Sequence, residues 1–396
     1  MKDINVDIVI FGGGIAGLWS YHALREKGYD VILLENQSLG GGQSISSQGI
    51  LHSGLKYAFA GHINKLAKSI SEMPDIWKQA LEGYGNVDLT GVQSGVSSQY
   101  MLIPKGMMRG IINLVTNRVL GEHVQTLDPP DWPRSIIESG FKGTVIYMDE
   151  PVLDTLSVMK SLAQPYKDNI LKISWPDEID FVQNEQGGID KIILADRLRI
   201  VPKQVVFTAA GSNEVIAKNL GHDKQLETQK RPLQMIMAKK APFALYVHLV
   251  GTSEKPLITI TTHRHSDGDL IWYMGGSVAE REKNTAPEKT FAKAREIIRK
   301  YLPDADLSHC LWQAHGIDRV EGKKSNHKKL PDTPVIHTHE NALYAWPTKW
   351  TFAPLLFDEL MKHLAEKSVT PSDRNAELPD LAFPGFAKPP WEVKSW

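Results

Sequence analysis

Glycines at a fixed spacing are the first residues in this sequence that indicate a chemical role. An apolar run at residues 8–11 ends in the pattern Gly12-x-Gly14-x-x-Gly17, after which apolar residues return at helical spacing. Gly12 permits a tight turn, Gly14 lets a pyrophosphate approach the main chain, and Gly17 lets a helix lie close to a sheet. Because the first amide groups of a helix favour negative charge, the pattern predicts a phosphate-binding strand-turn-helix unit.

A second apolar run, at residues 31–34, ends in Glu35. In dinucleotide-binding folds an acid at this place binds the ribose hydroxyls of an adenine dinucleotide, which favours FAD or NAD over NADP. The helix between the two runs carries small and apolar residues on one face and stops at Gly28. An ordinary glycine turn is the alternative, and these concordant features make it the weaker interpretation.

Composition sets the limits around this unit. The chain has 396 residues, 42% of them apolar and 23% charged, which suits about two domains with a sizeable core. The formal net charge of −1 gives no reason to expect a nucleic-acid or membrane-surface partner. The single cysteine, Cys310, excludes internal disulfides and a cysteine-based metal site. With neither a signal peptide nor an apolar run of membrane-spanning length, a cytoplasmic protein is expected.

Small residues fill the stretch from Gly40 to Gly49, and residues 51–57 then read Leu-His-Ser-Gly-Leu-Lys-Tyr. Small residues permit close approach of main chain to a flat ring system. This stretch resembles the flavin-passing segment of FAD-dependent oxidoreductases of the D-amino-acid oxidase superfamily. Within it, glycerol-3-phosphate dehydrogenase and L-2-hydroxyglutarate dehydrogenase are the most similar in motif.

The resemblance implies an α/β fold of the α+β two-domain type. A Rossmann-like FAD-binding domain of glutathione-reductase type would comprise residues 1–82, 149–230 and 331–374. A discontinuous substrate domain, built on a mixed and largely antiparallel sheet, would comprise residues 83–148 and 231–330. Residues 375–396 would be a C-terminal tail draped over the surface or joined to an interface.

The resemblance also implies which residues contact FAD. They belong to the glycine turn, the second strand, the small-residue stretch, the strand ending near residue 211 and the loop near residue 348. They are Gly12, Gly14, Ile15, Ala16, Gly17, Glu35, Asn36, Gln43, Ser44, Ser46, Ser47, Gln48, Gly49, Leu51, Ile179, Ala209, Ala210, Gly211, Trp346, Thr348, Lys349, Trp350 and Thr351. For Ile179, a place in the core is the stronger interpretation.

His52 is the residue of most chemical interest in the resemblance. Placed beside the flavin, it could act as a general base, hold a substrate hydroxyl, or attach the flavin covalently. A histidine that only hydrogen-bonds nearby backbone is the remaining alternative. Lys56 and Tyr57 follow it as candidate substrate-binding residues.

Residues 245–250, 257–262 and 270–275 read as strands of the sheet expected above the flavin. Their exposed positions are expected to include cations and aromatic rings that could bind an anionic organic substrate. These residues are His263, Arg264, His265, Trp272, Tyr273 and Arg281, of which His263 and Tyr273 are the substrate-binding candidates.

Arg319 lies where the family carries an arginine that clamps a substrate carboxylate, although Asp318 precedes it and the family's proline is absent. An ion pair of Arg319 with Asp318 or Glu321 is the competing role. Lys349 replaces part of a glycine-rich loop and could bring positive charge to the flavin or to a substrate anion. A loop lysine facing solvent is its alternative.

The remaining polar motifs predict less. His337 and His339 share one face of a strand, but no third ligand is identifiable nearby, so a metal site is not expected. The basic run at residues 322–329 reads as a solvated loop, with phosphate or nucleic-acid capture as the alternative. Helices are predicted at residues 61–82, 156–162, 287–301 and 354–367, and an antiparallel strand pair at residues 170–198.

The sequence therefore predicts an FAD-dependent oxidoreductase that oxidises a small polar or anionic substrate at a CH–OH carbon by hydride transfer to flavin N5. Oxidation of an amino acid or secondary amine is the second interpretation. A flavoprotein acting in a complex or on a macromolecule such as tRNA, and a nicotinamide-dependent reductase, stay open as other classes. The electron acceptor is left open.

Overall fold

The computed structural model describes residues 3–52, 72–106, 124–195, 197–251, 255–280, 285–323, 333–379 and 381–396. Lys56, Tyr57 and Arg281 lie outside the described residues, as do residues 61–71 of the predicted helix and most of the basic run. Within the described ranges, no helix is long and apolar enough to cross a membrane.

Most strands fall into two large sheets. In chain order the strands are β1 (Asp3–Phe11), β2 (Val31–Glu35), β3 (Ser94–Val96), β4 (Gln99–Pro104), β5 (Val124–Leu127), β6 (Gly143–Met148), β7 (Val152–Leu153), β8 (Ile170–Lys172), β9 (Ile179–Gln183), β10 (Ile189–Leu194), β11 (Leu198–Phe207), β12 (Thr228–Lys239), β13 (Val247–Leu249), β14 (Ile258–Arg264), β15 (Leu270–Gly275), β16 (Leu311–Gly322), β17 (Val335–His339) and β18 (Ala342–Trp346).

Helices pack on the faces of these sheets. They are α1 (Ile15–Glu26), α2 (Met73–Leu81), α3 (Arg134–Glu138), α4 (Thr155–Ala163), α5 (Ser212–Asn219), α6 (Pro287–Tyr301), α7 (Ala353–Glu366) and α8 (Pro390–Val393). The predictions for residues 156–162, 287–301 and 354–367 are confirmed to within a residue or two at each end. Asp154 caps α4 by accepting a hydrogen bond from the Ser157 amide at 2.6 Å, which explains where that helix begins.

The first sheet has the order β17-β18-β11-β1-β2-β8, with the β9–β10 pair joined to β11. Its central strands β11, β1 and β2 run parallel, and helices or loops cover both faces, which is why β1 and β2 read as continuous apolar runs. The predicted antiparallel pair is confirmed for β9 and β10 only. Residues 170–172 instead pair in parallel with β2, because an apolar run alone does not specify its partner strand.

The second sheet has the order β16-β12-β15-β14-β13-β4-β6-β5. Its pairs are antiparallel except for the parallel pair β13–β4, which confirms a mixed and largely antiparallel sheet. Helix α6 packs on one face through Ala294 and Ile298, which share a core with Trp272 and Met274. The domain limits proposed from the sequence stay a prediction.

Trp272 and Tyr273 are fully buried, so the prediction that they are exposed is wrong. The Trp272 indole faces the α6 side and donates a hydrogen bond to the Phe243 carbonyl at 2.7 Å. Tyr273 points to the opposite face of the sheet, which was expected from the sequence to be exposed. That face is covered by the segment of residues 44–52 and by the C-terminal tail.

The tail crosses from the first sheet to the second. Near the glycine turn, the amide of Leu39 donates to Gly385 and the amide of Ala387 donates to Leu39, both at 2.9 Å. Further on, Trp391 is only 3% exposed and stacks on His263 with ring centroids 4.0 Å apart. The tail is thus a packed element of the fold and ends in a short helix that the sequence did not predict.

Helix α1 lies very close to the glycine turn that follows β1. Gly12 has φ +102°, and a Cβ at Gly17 would lie 1.9 Å from the Gly12 carbonyl oxygen and 2.7 Å from Thr208 Oγ1. The first of these neighbours is backbone and cannot rotate away. Only glycine at position 17 therefore lets the helix lie this close to the strand.

We predict that Gly17→Ala lowers the free energy of unfolding by about 1–3 kcal/mol, because the overlap exceeds what alanine's higher helix propensity returns. Gly316→Ala is the matched control, since a Cβ there meets nothing within 4 Å. Thermal unfolding of both variants measures the difference, and equal melting temperatures would contradict the close-contact argument.

Candidate active site

The glycine turn fits the diphosphate of an adenine dinucleotide. Helix α1 begins at Ile15 with no acidic residue in its first turn, so nothing opposes an anion at its N-terminus. A Cβ at Gly14 would meet only the Ser44 hydroxyl, at 3.1 Å, whereas Gly12 and Gly17 are enclosed by protein. The Ser44 hydroxyl accepts the Ile15 amide at 2.9 Å and so lies at the same helix end.

Glu35 lies where a ribose-binding acid is expected, at the carboxyl end of β2. One carboxylate oxygen accepts the Gly13 amide at 2.6 Å and the other accepts the Gln37 amide at 2.7 Å. These bonds hold the carboxylate beside the glycine turn. The donors and acceptors present therefore suit the adenosine and diphosphate parts of FAD.

The end of β11 also reaches this region. Ala210 has φ +48° and accepts a hydrogen bond from the Trp346 indole at 3.1 Å, which joins the 209–211 turn to the 346–351 loop. Asn213 supports the same turn by accepting the Ala209 amide at 2.8 Å. Ile179 is buried in the core with Phe11 and Phe207, as the stronger of its two interpretations predicted.

Residues 44–52 then cross one face of the second sheet, strand by strand. Ser46 lies against β16, where its Oγ is 2.9 Å from His315 Nε2, and its carbonyl accepts the Tyr273 hydroxyl of β15 at 2.8 Å. The side-chain amide of Gln48 donates to the Tyr273 carbonyl at 2.9 Å and to the Thr259 carbonyl of β14 at 3.2 Å. These bonds fix the segment between the two sheets.

His52 reaches strand β13 at the end of this crossing. Its Nδ1 lies 3.3 Å from Glu150 Oε2, and His248 Nε2 lies 3.7 Å from the same oxygen. Burial alone would raise the pKa of Glu150, but hydrogen bonding to His248 and His52 and their charges bring it well below the ordinary value. Glu150 is therefore an ionised carboxylate inside the protein, shared by two imidazoles.

Two arginines share a second buried carboxylate. Arg231 on β12 and Arg319 on β16 are directly opposite each other in the sheet, and both donate to Glu321 Oε1, at 2.9 and 2.8 Å. The predicted ion pair of Arg319 is thus with Glu321. Arg319 also donates to the Thr348 carbonyl at 3.3 Å, which joins β16 to the 346–351 loop.

The 346–351 loop is held by aromatic packing. Trp350 stacks on Trp77 with ring centroids 4.7 Å apart, and the Trp77 indole donates to the Thr351 carbonyl at 3.0 Å. Lys349 is half-buried, with Nζ 4.7 Å from the Phe352 ring centre, so the interpretation of Lys349 as a solvent-facing lysine is wrong. Helix α7 begins directly after this loop, at Ala353.

A family model for FAD-dependent oxidoreductases, the DAO family, matches residues 7–349. This chain belongs to that family. The predictions of an FAD-dependent oxidoreductase and of FAD as its cofactor are thereby confirmed. When bound, FAD supplies a two-electron acceptor. The glycine turn, Ser44 and Glu35 are the groups that would hold its diphosphate and adenosine parts.

Known proteins agree with this assignment. The chain is 36% identical over 394 residues to the probable FAD-dependent oxidoreductase PA4991 of Pseudomonas aeruginosa, covering 98% of both chains. The crystal structure of PA4991 superposes with a TM-score of 0.85 at 33% identity over 99% of each chain.

Two more distant structures share the fold. They are the FAD-bound L-α-glycerophosphate oxidase of Mycoplasma pneumoniae (TM-score 0.66, 14% identity, 98% and 99% of the two chains) and the glycine oxidase of Geobacillus kaustophilus (0.63, 16%, 93% and 99%).

Several other predicted contacts of FAD are occupied by protein atoms. Asn36 accepts the Trp175 amide at 2.8 Å, and Ser47 accepts the Gly49 amide at 3.2 Å. A Cβ at Gly49 would lie 2.1 Å from the Leu153 carbonyl oxygen. Ala16 and Leu51 are buried in the core, and Gln43 and Gly211 are half-buried. Their contacts with FAD stay predictions.

Sequence reasoning missed Glu150, His248 and the role of Arg231, and it named Glu321 only as one of two possible partners of Arg319. Glu150 follows β6 in what read as a connecting strand, and His248 lies in an apolar strand with no motif around it. The ligand atoms of His52, Glu150 and His248 lie within 4.8 Å of one another, a spacing that could hold an ion, and the expectation of no metal stays a prediction. His339 instead stacks on His222 at 3.9 Å.

Gly14→Val should lose FAD while the protein stays folded. Gly14 has φ −76° and ψ −176°, which a side chain tolerates, so a branched side chain would fill the diphosphate space without straining the turn. The ratio of flavin to protein absorbance measures retention, and thermal unfolding checks the fold. Gly14→Ala is the control with a smaller side chain and should lose less FAD. A Gly14→Val protein that stays fully yellow would refute the placement of the diphosphate at Gly14.

Proposed function

We propose that this protein oxidises a small anionic substrate at a carbon that bears a hydroxyl group, with His52 as the base. The observation that carries the proposal is the opposed pair Arg231 and Arg319, which share the single carboxylate of Glu321. Like charges directly opposite in a sheet repel, and one carboxylate neutralises only one of them. The pair therefore carries one positive charge more than Glu321 neutralises, and this charge could attract an anionic ligand.

The position of this charge favours a substrate role. His315, Arg319 and Glu321 project from the same face of β16, because side chains alternate along a strand. His315 meets Ser46 in the predicted flavin-passing segment, and Arg319 meets the loop that precedes α7. Burial lowers the pKa of Arg319 while Glu321 opposes the change, and the charged side chain stays 36% exposed, so a ligand can reach it.

His52 has the exposure that a base needs. Its side chain is 41% exposed, whereas Glu150, which its Nδ1 contacts, is 4% exposed. The imidazole can accept the proton of a substrate hydroxyl, and FAD, when bound, would supply the acceptor for the hydride of the substrate carbon. The guanidinium of Arg319 would bind the substrate's carboxylate or phosphate and so orient that carbon.

The substrate class can be tested by anaerobic bleaching of the flavin. The purified yellow protein is mixed with sn-glycerol 3-phosphate, 2-hydroxy acids, glycine and L-proline, and absorbance is followed near the flavin band. The hydroxyl compounds are expected to bleach the flavin faster than the amines. Faster bleaching by glycine or proline would contradict CH–OH oxidation and favour CH–NH oxidation. If uncharged analogues of the best substrate do not bleach the flavin, the substrate site requires an anion.

Arg319→Met should raise the substrate concentration for half-maximal flavin reduction by about 10- to 100-fold, the loss expected for one charge-assisted hydrogen bond. Arg199→Met is the control, because it breaks an ion pair with Asp3 on the first sheet and leaves the Arg231–Arg319 pair intact. An equal loss of affinity in Arg199→Met would contradict a substrate role for Arg319. Stopped-flow reduction at several concentrations of the fastest substrate separates affinity from the limiting rate.

His52→Ala should retain FAD and slow flavin reduction by about 10²- to 10⁴-fold, the contribution typical of a positioned base. His339→Ala is the control, because His339 packs on His222 away from these residues. Limiting rates come from the same stopped-flow experiment. A limiting rate equal to that of the unmodified protein would remove His52 from the chemistry.

A further inference from the structure

We propose that Glu150 and His248 are positioning residues that fix the proton of His52 on Nδ1 and leave the lone pair of Nε2 free for the substrate. The inference rests on the proposed function only in treating His52 as the base. Neither Glu150 nor His248 would touch the substrate in this arrangement. They act through the imidazole of His52.

The geometry gives His52 two unlike edges. Nδ1 faces Glu150 Oε2, on a buried carboxylate, at 3.3 Å, while the side chain of His52 as a whole is 41% exposed. An ionised carboxylate can only accept hydrogen bonds. The ring nitrogen beside it must therefore carry hydrogen, and in a neutral imidazole the other nitrogen is then unprotonated.

His248 faces the same carboxylate from strand β13. Its Nδ1 lies 2.9 Å from the Thr259 hydroxyl, which can donate, and its Nε2 lies 3.7 Å from Glu150 Oε2. The order of donors is then Thr259 to His248 and His52 to Glu150, while the Nε2–H of His248 faces the same carboxylate at ion-pair distance, longer than a hydrogen bond. This second N–H adds electrostatic support to the ionised carboxylate.

Three separate parts of the chain hold this arrangement. The Glu150 amide donates to Met148 at 2.8 Å at the end of β6, and the Leu51 amide donates to Pro151 at 2.9 Å, which brings His52 alongside. His248 lies on β13 between β4 and β14. Because each backbone is fixed by a sheet or a loop bond, the three side chains meet without needing a ligand to gather them.

The arrangement also matters once the proton has moved. A base that accepts a proton on Nε2 becomes an imidazolium, and an adjacent buried carboxylate stabilises that positive charge more than water would. In catalytic triads a carboxylate in this relation to a histidine sets the tautomer, and its replacement by an amide costs up to about 10⁴-fold in rate. The same loss is expected here, in the rate of flavin reduction.

The test compares the holoenzyme with Glu150→Gln, which keeps the side-chain shape but lets the amide donate to Nδ1. Protein labelled with ¹⁵N-histidine is studied by NMR, and the His52 signals are assigned by their loss in His52→Ala. The starting protein should show His52 protonated on Nδ1, and Glu150→Gln should move the proton toward Nε2 at unchanged FAD content. A His52 protonated on Nε2 at the outset, or a tautomer unaffected by Glu150→Gln, would overturn the proposal.

Thr259→Val is the second variant, should Glu150→Gln not fold. It removes only the hydroxyl that faces His248 and is expected to change the tautomer of His248. An unchanged His248 would contradict the order of donors. Metal content is measured in parallel, because a stoichiometric divalent ion lost in Glu150→Gln would mean that the three side chains bind a cation, and would overturn the proposal.

The NMR measurement needs no substrate, so the two proposals can fail separately. If His52→Ala reduces its flavin as fast as the starting protein while the tautomer behaves as expected, the base assignment fails and the positioning by Glu150 stands. If His52→Ala reduces its flavin slowly but Glu150→Gln keeps the limiting rate of the starting protein, the positioning role of Glu150 fails and His52 stands as the base.

Discussion

The candidate site depends on the hydrogen bonds by which residues 44–52 cross the second sheet. Ser46, Gln48 and His52 each meet a different strand or its neighbour, and the backbone between them has no regular structure of its own. Buried polar groups of this kind must be paired, because a buried donor or acceptor left without a partner costs about 1–3 kcal/mol. Correct pairing therefore selects one register of the segment against the sheet, and with it the place of His52.

Two carboxylates of the site have similar surroundings. Glu150 and Glu321 are both buried carboxylates, and each faces two nitrogen-bearing side chains that are more exposed than itself. A buried charge needs partners, which here are held by strands of the second sheet. The arrangement supplies one place that can take up a proton and another that can attract an anion, using only residues that the sheet already positions.

Local patterns in the sequence predicted the parts of the fold that local physics decides. The glycine turn, α1, α6 and α7 all follow from spacing, turn residues and a helix-starting proline within one stretch of chain. The family resemblance added the cofactor and the mixed second sheet. Tyr273 was wrongly placed at the surface, since what covers it comes from Ser46 and Trp391, far away in the sequence. Glu150 was missed for the same reason, since it lies 98 positions from His52.

The C-terminal tail affects how the two sheets can move relative to each other. It is bonded at Leu39, beside the glycine turn of the first sheet, and its Trp391 is packed on the second sheet. Any movement that separates the two sheets would therefore require the tail to detach from at least one of them.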